Sequence, residues 1–385
     1  MNYIGSKYSL LNEIEAVLQV HDVPCDGVAL DLFAGTAAVA QLFKRRGHIT
    51  YANDWQRYAY LTGVAFIEYN DFPTLDRLLS APGWRDPIDA ASGRPILSHS
   101  IQGRDLLPEG LPCVRVLRYL DQIPGCRGPF YEAYCCGGKA RRMYFSRQNG
   151  MRIQAVRDQI EVWSKEGLIS AQEKAWLVAC LIESADRVAN TASIYGAYLK
   201  HVKRSARKPL ALVALRPSPS SHPADQHRAF CQDGLELLTQ FEGQRLRLVY
   251  VDPPYNHRQY ASNYHILETI ACWDMASFSP RGVTGLREAE ELRSDYCLRS
   301  AAEEAFQKLF ARIDAEYLMF SYNNEGLLSE EKLLALFESH CTETHFRRIP
   351  FKRFRADVDH ENRVYKADRT HEFLILGKPK RFAGR

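Results

Sequence analysis

The residues best placed to do chemistry in this 385-residue sequence are acids that follow apolar runs. Asp31 ends the first such run, Asp54 ends "HITYAND", Asp233 ends "HRAFCQD" and Asp252 ends "LRLVYVD". A strand-end aspartate often does no more than cap the next helix. Repeated on successive runs, such acids suit the crevice at the carboxyl ends of parallel strands, where ligands of α/β sheets bind. Asp252 is set apart by its three successors, Pro253, Pro254 and Tyr255. Proline cannot donate to a ladder, so the pair marks a strand end, and the ring of Pro254 holds the Pro253 carbonyl rigid. One carboxylate and one outward carbonyl can accept both hydrogens of an exocyclic amino group. Tyr255 adds an aromatic face on which a planar base can stack. Hydrogens held toward two acceptors favour a tetrahedral nitrogen whose lone pair can attack an electrophile.

The elements that must position these groups are legible as alternating patterns. Runs at 27–33, 48–54, 227–233, 246–252, 315–322 and 371–378 predict strands. Residues 36–47 predict a helix with Val39, Leu42 and Phe43 on one face and Gly47 as its stop. Strand and helix in alternation predict a doubly wound α/β sheet. The turn after Asp31, with Phe33, Ala34, Gly35 and Thr36, is small enough for a ligand to approach the backbone at a helix start. It carries a single glycine and is no dinucleotide fingerprint. Asp54, 23 residues beyond Asp31, occupies the place of an acid that holds a ribose hydroxyl pair.

Residues 72–225 read differently, with little strand signal. Ile153, Val156, Ile160 and Trp163 form a helical stripe, and Ser170 with Glu173 predicts a capping box opening a second helix that carries Leu177, Leu181 and Val188 on one side. The expected organisation is therefore a sheet domain from 1–71 and 226–385, interrupted by a mostly helical insertion at 72–225.

Composition bounds the function classes. The formal net charge is only +4, so a nucleic-acid surface has to come from local clustering. Lys139, Arg141, Arg142, Arg147 and Arg152 form one basic group, and Lys200, Lys203, Arg204, Arg207 and Lys208 another, the latter on one side of a helix if that stretch is helical. Lys352, Arg353 and Arg355 make a third. The cysteines are scattered without a CxxC pair and fit a reduced compartment. No apolar run is long enough to span a membrane, and the amphipathic first residues are unlike a signal peptide. The expectation is a cytoplasmic, nucleoid-associated protein that needs no metal. His265 tempts a general-base reading, but a lone histidine is more often structural.

At these residues the sequence resembles the Dam-type, class-alpha DNA adenine-N6 methyltransferases, and among them the FokI-like type IIS modification methylases. "NYIGSK" (2–7) resembles the family's N-terminal motif, "DLFAGT" (31–36) its cofactor loop, "ANDW" its ribose-binding acid, "QDGLELL" its cofactor-adenine segment and "DPPY" (252–255) its catalytic motif. The FokI-like subgroup is carried by residues 144–163, 185–206 and 252–271. The resemblance implies a Rossmann-like, S-adenosylmethionine-dependent sheet in which the insertion is the target-recognition domain. It implies Asp252, Pro253, Pro254 and Tyr255 as catalytic residues. Tyr3, Lys7, Asp31, Phe33, Ala34, Gly35, Thr36, Asp54 and Asp233 would meet S-adenosyl-L-methionine, with Tyr3 and Lys7 near its methionine part. Arg141, Arg142, Arg147, Lys200, Lys203, Arg204, Arg207 and Lys208 would bind double-stranded DNA. Enzymes of the FokI-like kind can carry two methylase units, and this chain has one, so a second methylase chain or a cognate restriction endonuclease is an expected partner class. The competing readings are cytosine-N4 methylation, an RNA or protein-amide methyltransferase, and a DNA-binding relative without catalysis.

Overall fold

The computed structural model describes residues 5–86, 94–255, 257, 259–287, 293–352 and 369–383. Tyr3, Arg353, Arg355 and the side chain of Lys352 lie outside what is described. In chain order the strands are β1 (Val28–Asp31), β2 (Ile49–Asn53), β3 (Leu97–His99), β4 (Val213–Leu215), β5 (Arg228–Phe230), β6 (Leu246–Val251), β7 (Ala315–Asn323), β8 (Cys341–Lys352) and β9 (Arg369–Pro379). A seven-stranded sheet runs in the order β5-β2-β1-β6-β7-β9-β8. It is parallel from β5 to β7, and β9 lies antiparallel to both of its neighbours.

The anticipated strands are all present, and their period of two divides one core from another. Leu30, Val249, Leu318, Phe320 and Ile375 point to one face, under Leu237, Phe306, Leu309 and Phe337. Ala29, Leu248, Tyr250, Met319, Leu374 and Leu376 point to the other, under Ile14, Leu18, Val39, Leu42 and Phe43. With both faces covered, the parallel strands read as continuous apolar runs. The helix Ala38–Arg46 ends on Gly47, whose φ of 104° is the left-handed conformation that closes a helix cheaply with glycine.

By its own packing the chain divides into two compact units. One comprises Ser6–Gly63, Ser220–Ala261 and Ala289–Arg385 and holds the seven-stranded sheet. The other contains Val64–Pro219 and Ser262–Glu288. Its centre is the helix pair Arg147–Lys165 and Ala171–Asp186, with Ile153, Val156, Ile160, Trp163, Leu177 and Leu181 buried. Ser170 and Glu173 form the reciprocal capping box. A small parallel pair, β3 with β4, is an addition to the expected helices. The stretch 200–208 corrects one expectation, since it contains only a 3₁₀ turn at Ser205–Arg207. Its backbone is drawn off elsewhere: Leu199 N–H donates to the Asn190 carbonyl (3.0 Å) and Lys203 N–H to Asn190 Oδ1 (2.9 Å). The basic residues there do not share a helical side.

Candidate active site

Because β5, β2, β1 and β6 are parallel, their carboxyl ends share one edge of the sheet, and β1 is the point where the strand order reverses direction. Asp31 terminates β1, Asp54 follows β2, Asp233 follows β5 and Asp252 follows β6. Topology therefore brings the acid-bearing tips to the same edge.

Each acid has a distinct local task. Asp31 is buried, and its Oδ2 accepts the Ala40 N–H at 3.0 Å, satisfying a donor in the first turn of the helix after β1. Its Oδ1 is buried with no hydrogen bond among the described residues. Burial, with Asp252 and Asp54 nearby, raises its pKa well above the carboxylate range. Asp54 ties the turn to β2: Oδ2 accepts the Gly35 N–H and Oδ1 the Gln56 N–H, each at 2.8 Å. Gly35 and Ala37 have positive φ (51° and 56°), which turns the chain sharply into the helix. Phe33 and Thr36 line this turn half-buried, Phe33 edge-on to Tyr296 and Thr36 with its hydroxyl 3.3 Å from Ser6 Oγ. Asp233 caps the helix Gly234–Gln240, its Oδ1 accepting from Leu235 and Glu236 N–H.

Asp252 sits in a charged cluster. Lys7, only 4% exposed, places Nζ 2.9 Å from Asp252 Oδ1 and 3.8 Å from Glu372 Oε2. The same ammonium lies 5.4 Å from the centroid of the Tyr255 ring. Burial opposes the Lys7 cation, but the Asp252 and Glu372 carboxylates outweigh it and its pKa is raised. Burial also lifts Asp252, to about 6, against the pull of Lys7. Tyr255 is half-buried, edge-on to Tyr322, and its carbonyl accepts the Leu327 N–H at 3.0 Å. The ring is thus fixed in place beside the Lys7 ammonium that pairs with Asp252.

Glu372 and its partner Asn323 are site residues that the motif reading missed. They face each other across β7 and β9, and Asn323 Nδ2 donates to Glu372 Oε1 at 2.7 Å. The one available signal is an acid inside the otherwise apolar "HEFLILGK".

The basic residues divide by exposure. Arg141, Arg147, Lys200, Arg204, Arg207 and Lys208 are exposed. Arg142 is turned inward, its guanidinium donating to the carbonyls of Val283 (3.0 Å), Ala133 (2.8 Å) and Gly282 (2.9 Å). It braces one loop of the helical unit against another. Lys203 is half-buried and donates to the Thr191 carbonyl at 2.6 Å. Arg152 also turns inward, to the Leu120 carbonyl. His265 lies between the carbonyls of Ser262 (3.0 Å) and Thr284 (3.2 Å); burial lowers its pKa while these two contacts raise it, and both ring nitrogens are engaged with backbone.

A doubly wound sheet, parallel over five strands, with acids on its strand tips and an Asp-Pro-Pro-Tyr turn after β6 is consistent with a Rossmann-like methyltransferase fold. Residues 3–82 and 115–336 match the D12 class N6 adenine-specific DNA methyltransferases, and the chain belongs to that family. It is 37% identical to the type II methyltransferase M.NlaIII of Neisseria lactamica, over 98% of both chains. It is 31% identical to the modification methylase StsI of Streptococcus sanguinis and 31% identical to the type II methyltransferase M.FokI of Planomicrobium okeanokoites, over 98% and 97% of this chain. The chain spans about half of those two relatives, 52% of each. No solved structure matches it. The family's activity selects adenine N6 over the competing readings, and its members are methyltransferases, for which S-adenosylmethionine is the general methyl source. DNA is the substrate class. Among the described residues no helix is long and apolar enough to cross a membrane.

Proposed function

We propose that this chain methylates N6 of an adenine flipped out of double-stranded DNA, with Asp252, Pro253, Pro254 and Tyr255 as its catalytic residues. The observation that carries the assignment is the strand-end carboxylate of Asp252, paired at 2.9 Å with a Lys7 ammonium that also lies 5.4 Å from the centroid of the Tyr255 ring. In this reading Asp252 and the Pro253 carbonyl take the two amine hydrogens, and Pro254 keeps that carbonyl fixed. Tyr255 stacks on the base. S-adenosylmethionine, when bound, supplies the methyl group, the nitrogen–carbon bond forming as the carbon–sulfur bond breaks with its electron pair left on sulfur. Asp252 then faces a cationic nitrogen, which sheds its proton to water. Catalysis is positioning and charge stabilisation without a covalent enzyme intermediate.

The residues present suit a cationic cofactor. Asp31 Oδ1 is a buried acceptor with no hydrogen bond among the described residues, as an ammonium or sulfonium neighbour requires. We assign Asp54 to the ribose hydroxyls, Asp233 to the cofactor adenine, and Phe33, Ala34, Gly35 and Thr36 to the wall of the same site, with Lys7 and Tyr3 at its methionine end. We assign the helical region 72–225 to target recognition. Exposed Arg141, Arg147, Lys200, Arg204, Arg207 and Lys208 are its phosphate contacts. Arg142 and Lys203 support that surface from within. A cognate endonuclease or a second methylase chain is the proposed partner, and the cytoplasm beside the nucleoid the proposed location.

The test is incubation with unmethylated genomic DNA and S-adenosylmethionine, followed by mass spectrometry of the digested nucleosides. N6-methyladenine formed only by active protein supports the reading. N4-methylcytosine in its place would overturn the base assignment, and no methylated nucleoside would overturn the function.

A further inference from the structure

The charged cluster contains more than a catalytic carboxylate needs. A lone lysine beside Asp252 would form a neutral pair, and a neutralised Asp252 is a poor acceptor for a nitrogen that becomes cationic. Glu372 alters that balance from β9. Its Oε1 is held by Asn323 Nδ2 at 2.7 Å, and Oε2 lies 3.8 Å from Lys7 Nζ. Glu372 is only 5% exposed, and its Oε2 makes no hydrogen bond among the described residues. A buried carboxylate with one oxygen tied to an amide and the other left to a shared cation is costly unless its charge is used. The other titratable groups facing Asp252 are Asp31 at the tip of β1, Tyr250 on β6 and Lys7 itself. Neither Asp31 nor Tyr250 brings a compensating positive charge.

We propose that Glu372 is a positioning residue for methyl transfer: it shares Lys7 with Asp252 and offsets the lysine's charge, so that Asp252 keeps its full capacity to stabilise the cation forming on the amine nitrogen. This rests on the methylation reading above. Asn323 is the clamp that keeps Glu372 in register. Glu372 also raises the pKa of both Asp252 and Lys7, as an added negative charge must.

Glu372→Gln tests it, because the amide oxygen can still accept from Asn323 while the charge is lost. Expected is a fall in kcat of roughly tenfold or more with little change in cofactor Kd, as for a group acting on the charge of the transition state. The acid limb of the pH–rate profile should also move to lower pH, since Asp252 loses a like-charged neighbour. Glu372→Asp, which keeps the charge, should restore most of both. A purely structural Glu372 would lower the melting temperature of Glu372→Gln while kcat and the acid limb stay at wild-type values, and that result overturns the proposal. Should Glu372→Gln fail to fold, Glu372→Ala, which also removes the charge, is read for the same shift of the acid limb to lower pH, and its absence is equally fatal. Titration of the Asp252 carboxyl by carbon NMR, wild type against variant and without DNA, reads the coupling directly. An inactive wild type with an intact shift would defeat the methylation reading and leave the Glu372–Asp252 coupling standing. An unshifted titration would defeat the coupling whatever the activity.

Discussion

At the scale of single residues, the site depends on where charge is held. Asp252 has to be ionised to accept from the amine, and burial lifts its pKa to about 6. kcat/KM should therefore be level above about pH 7 and fall tenfold per unit as the pH drops below 6. Lys7, held protonated by Asp252 and Glu372, should contribute no alkaline limb. A pH–rate profile flat down to pH 5 would contradict this. Asp252→Asn keeps the shape and one acceptor oxygen but loses the charge. Its single-turnover rate should drop by about 10²–10³ or more, with cofactor affinity largely kept, in the range seen when one preorganised electrostatic contact is removed. A rate near wild type would remove Asp252 from catalysis.

At the scale of elements, two packing arrangements carry measurable consequences. Gly150, in the helix Arg147–Lys165, leaves no room for a side chain, since a Cβ there would lie 2.2 Å from Cys135 Sγ. Gly150→Ala should destabilise the protein by ~1–3 kcal/mol through overpacking, against a gain in helix propensity smaller than 1 kcal/mol. Denaturant titration showing equal or greater stability would contradict that balance. Lys44 is fully buried in the helix behind β1, and burial lowers its pKa to about 7. Its native pKa lies below the unfolded value near 10.4, so between pH 7 and 10 the unfolded chain binds the extra proton. Stability then rises with pH across that window, by at most ~1.4 kcal/mol per unit from this group. Lys44→Met should remove that rise, and melting curves of both proteins at pH 7 and 9 check it.

At the scale of the whole molecule, a net charge of only +4 has to be organised to grip a polyanion. The exposed group Lys200, Arg204, Arg207 and Lys208 is assigned to phosphates. Replacing all four by alanine should weaken DNA binding and lower the slope of log K against log salt by roughly 0.9 per lost phosphate contact. Arg142→Ala should behave differently. It empties carbonyl acceptors within the helical unit and should cost stability, ~2–4 kcal/mol, with an unchanged salt slope in the folded fraction. Equal effects of both on the slope would place Arg142 on the DNA after all.

The acid-tipped strands, the Gly47 helix stop and the Ser170–Glu173 capping box could be read from the chain because each depends on neighbours within a few residues. Strand β8 could not, since "CTETHFRRIPFK" is an edge strand in which charges alternate with few apolar residues, and its pairing with β9 supplies what its own pattern lacks. The 200–208 stretch misled for the converse reason: its spacing suits a helix, but Asn190 captures its backbone from a distance. Arg141 and Arg142 are adjacent and chemically identical, yet one is exposed and the other spends its donors on carbonyls some 140 residues away in sequence. The sequence alone determined the fold class and the acids of the site, because strand periodicity and proline stereochemistry are local. The Glu372–Lys7–Asp252 cluster was decided only in three dimensions. It joins residues from the start, middle and end of the chain, and the antiparallel insertion of β9 beside β7 is what carries the last of them to the other two.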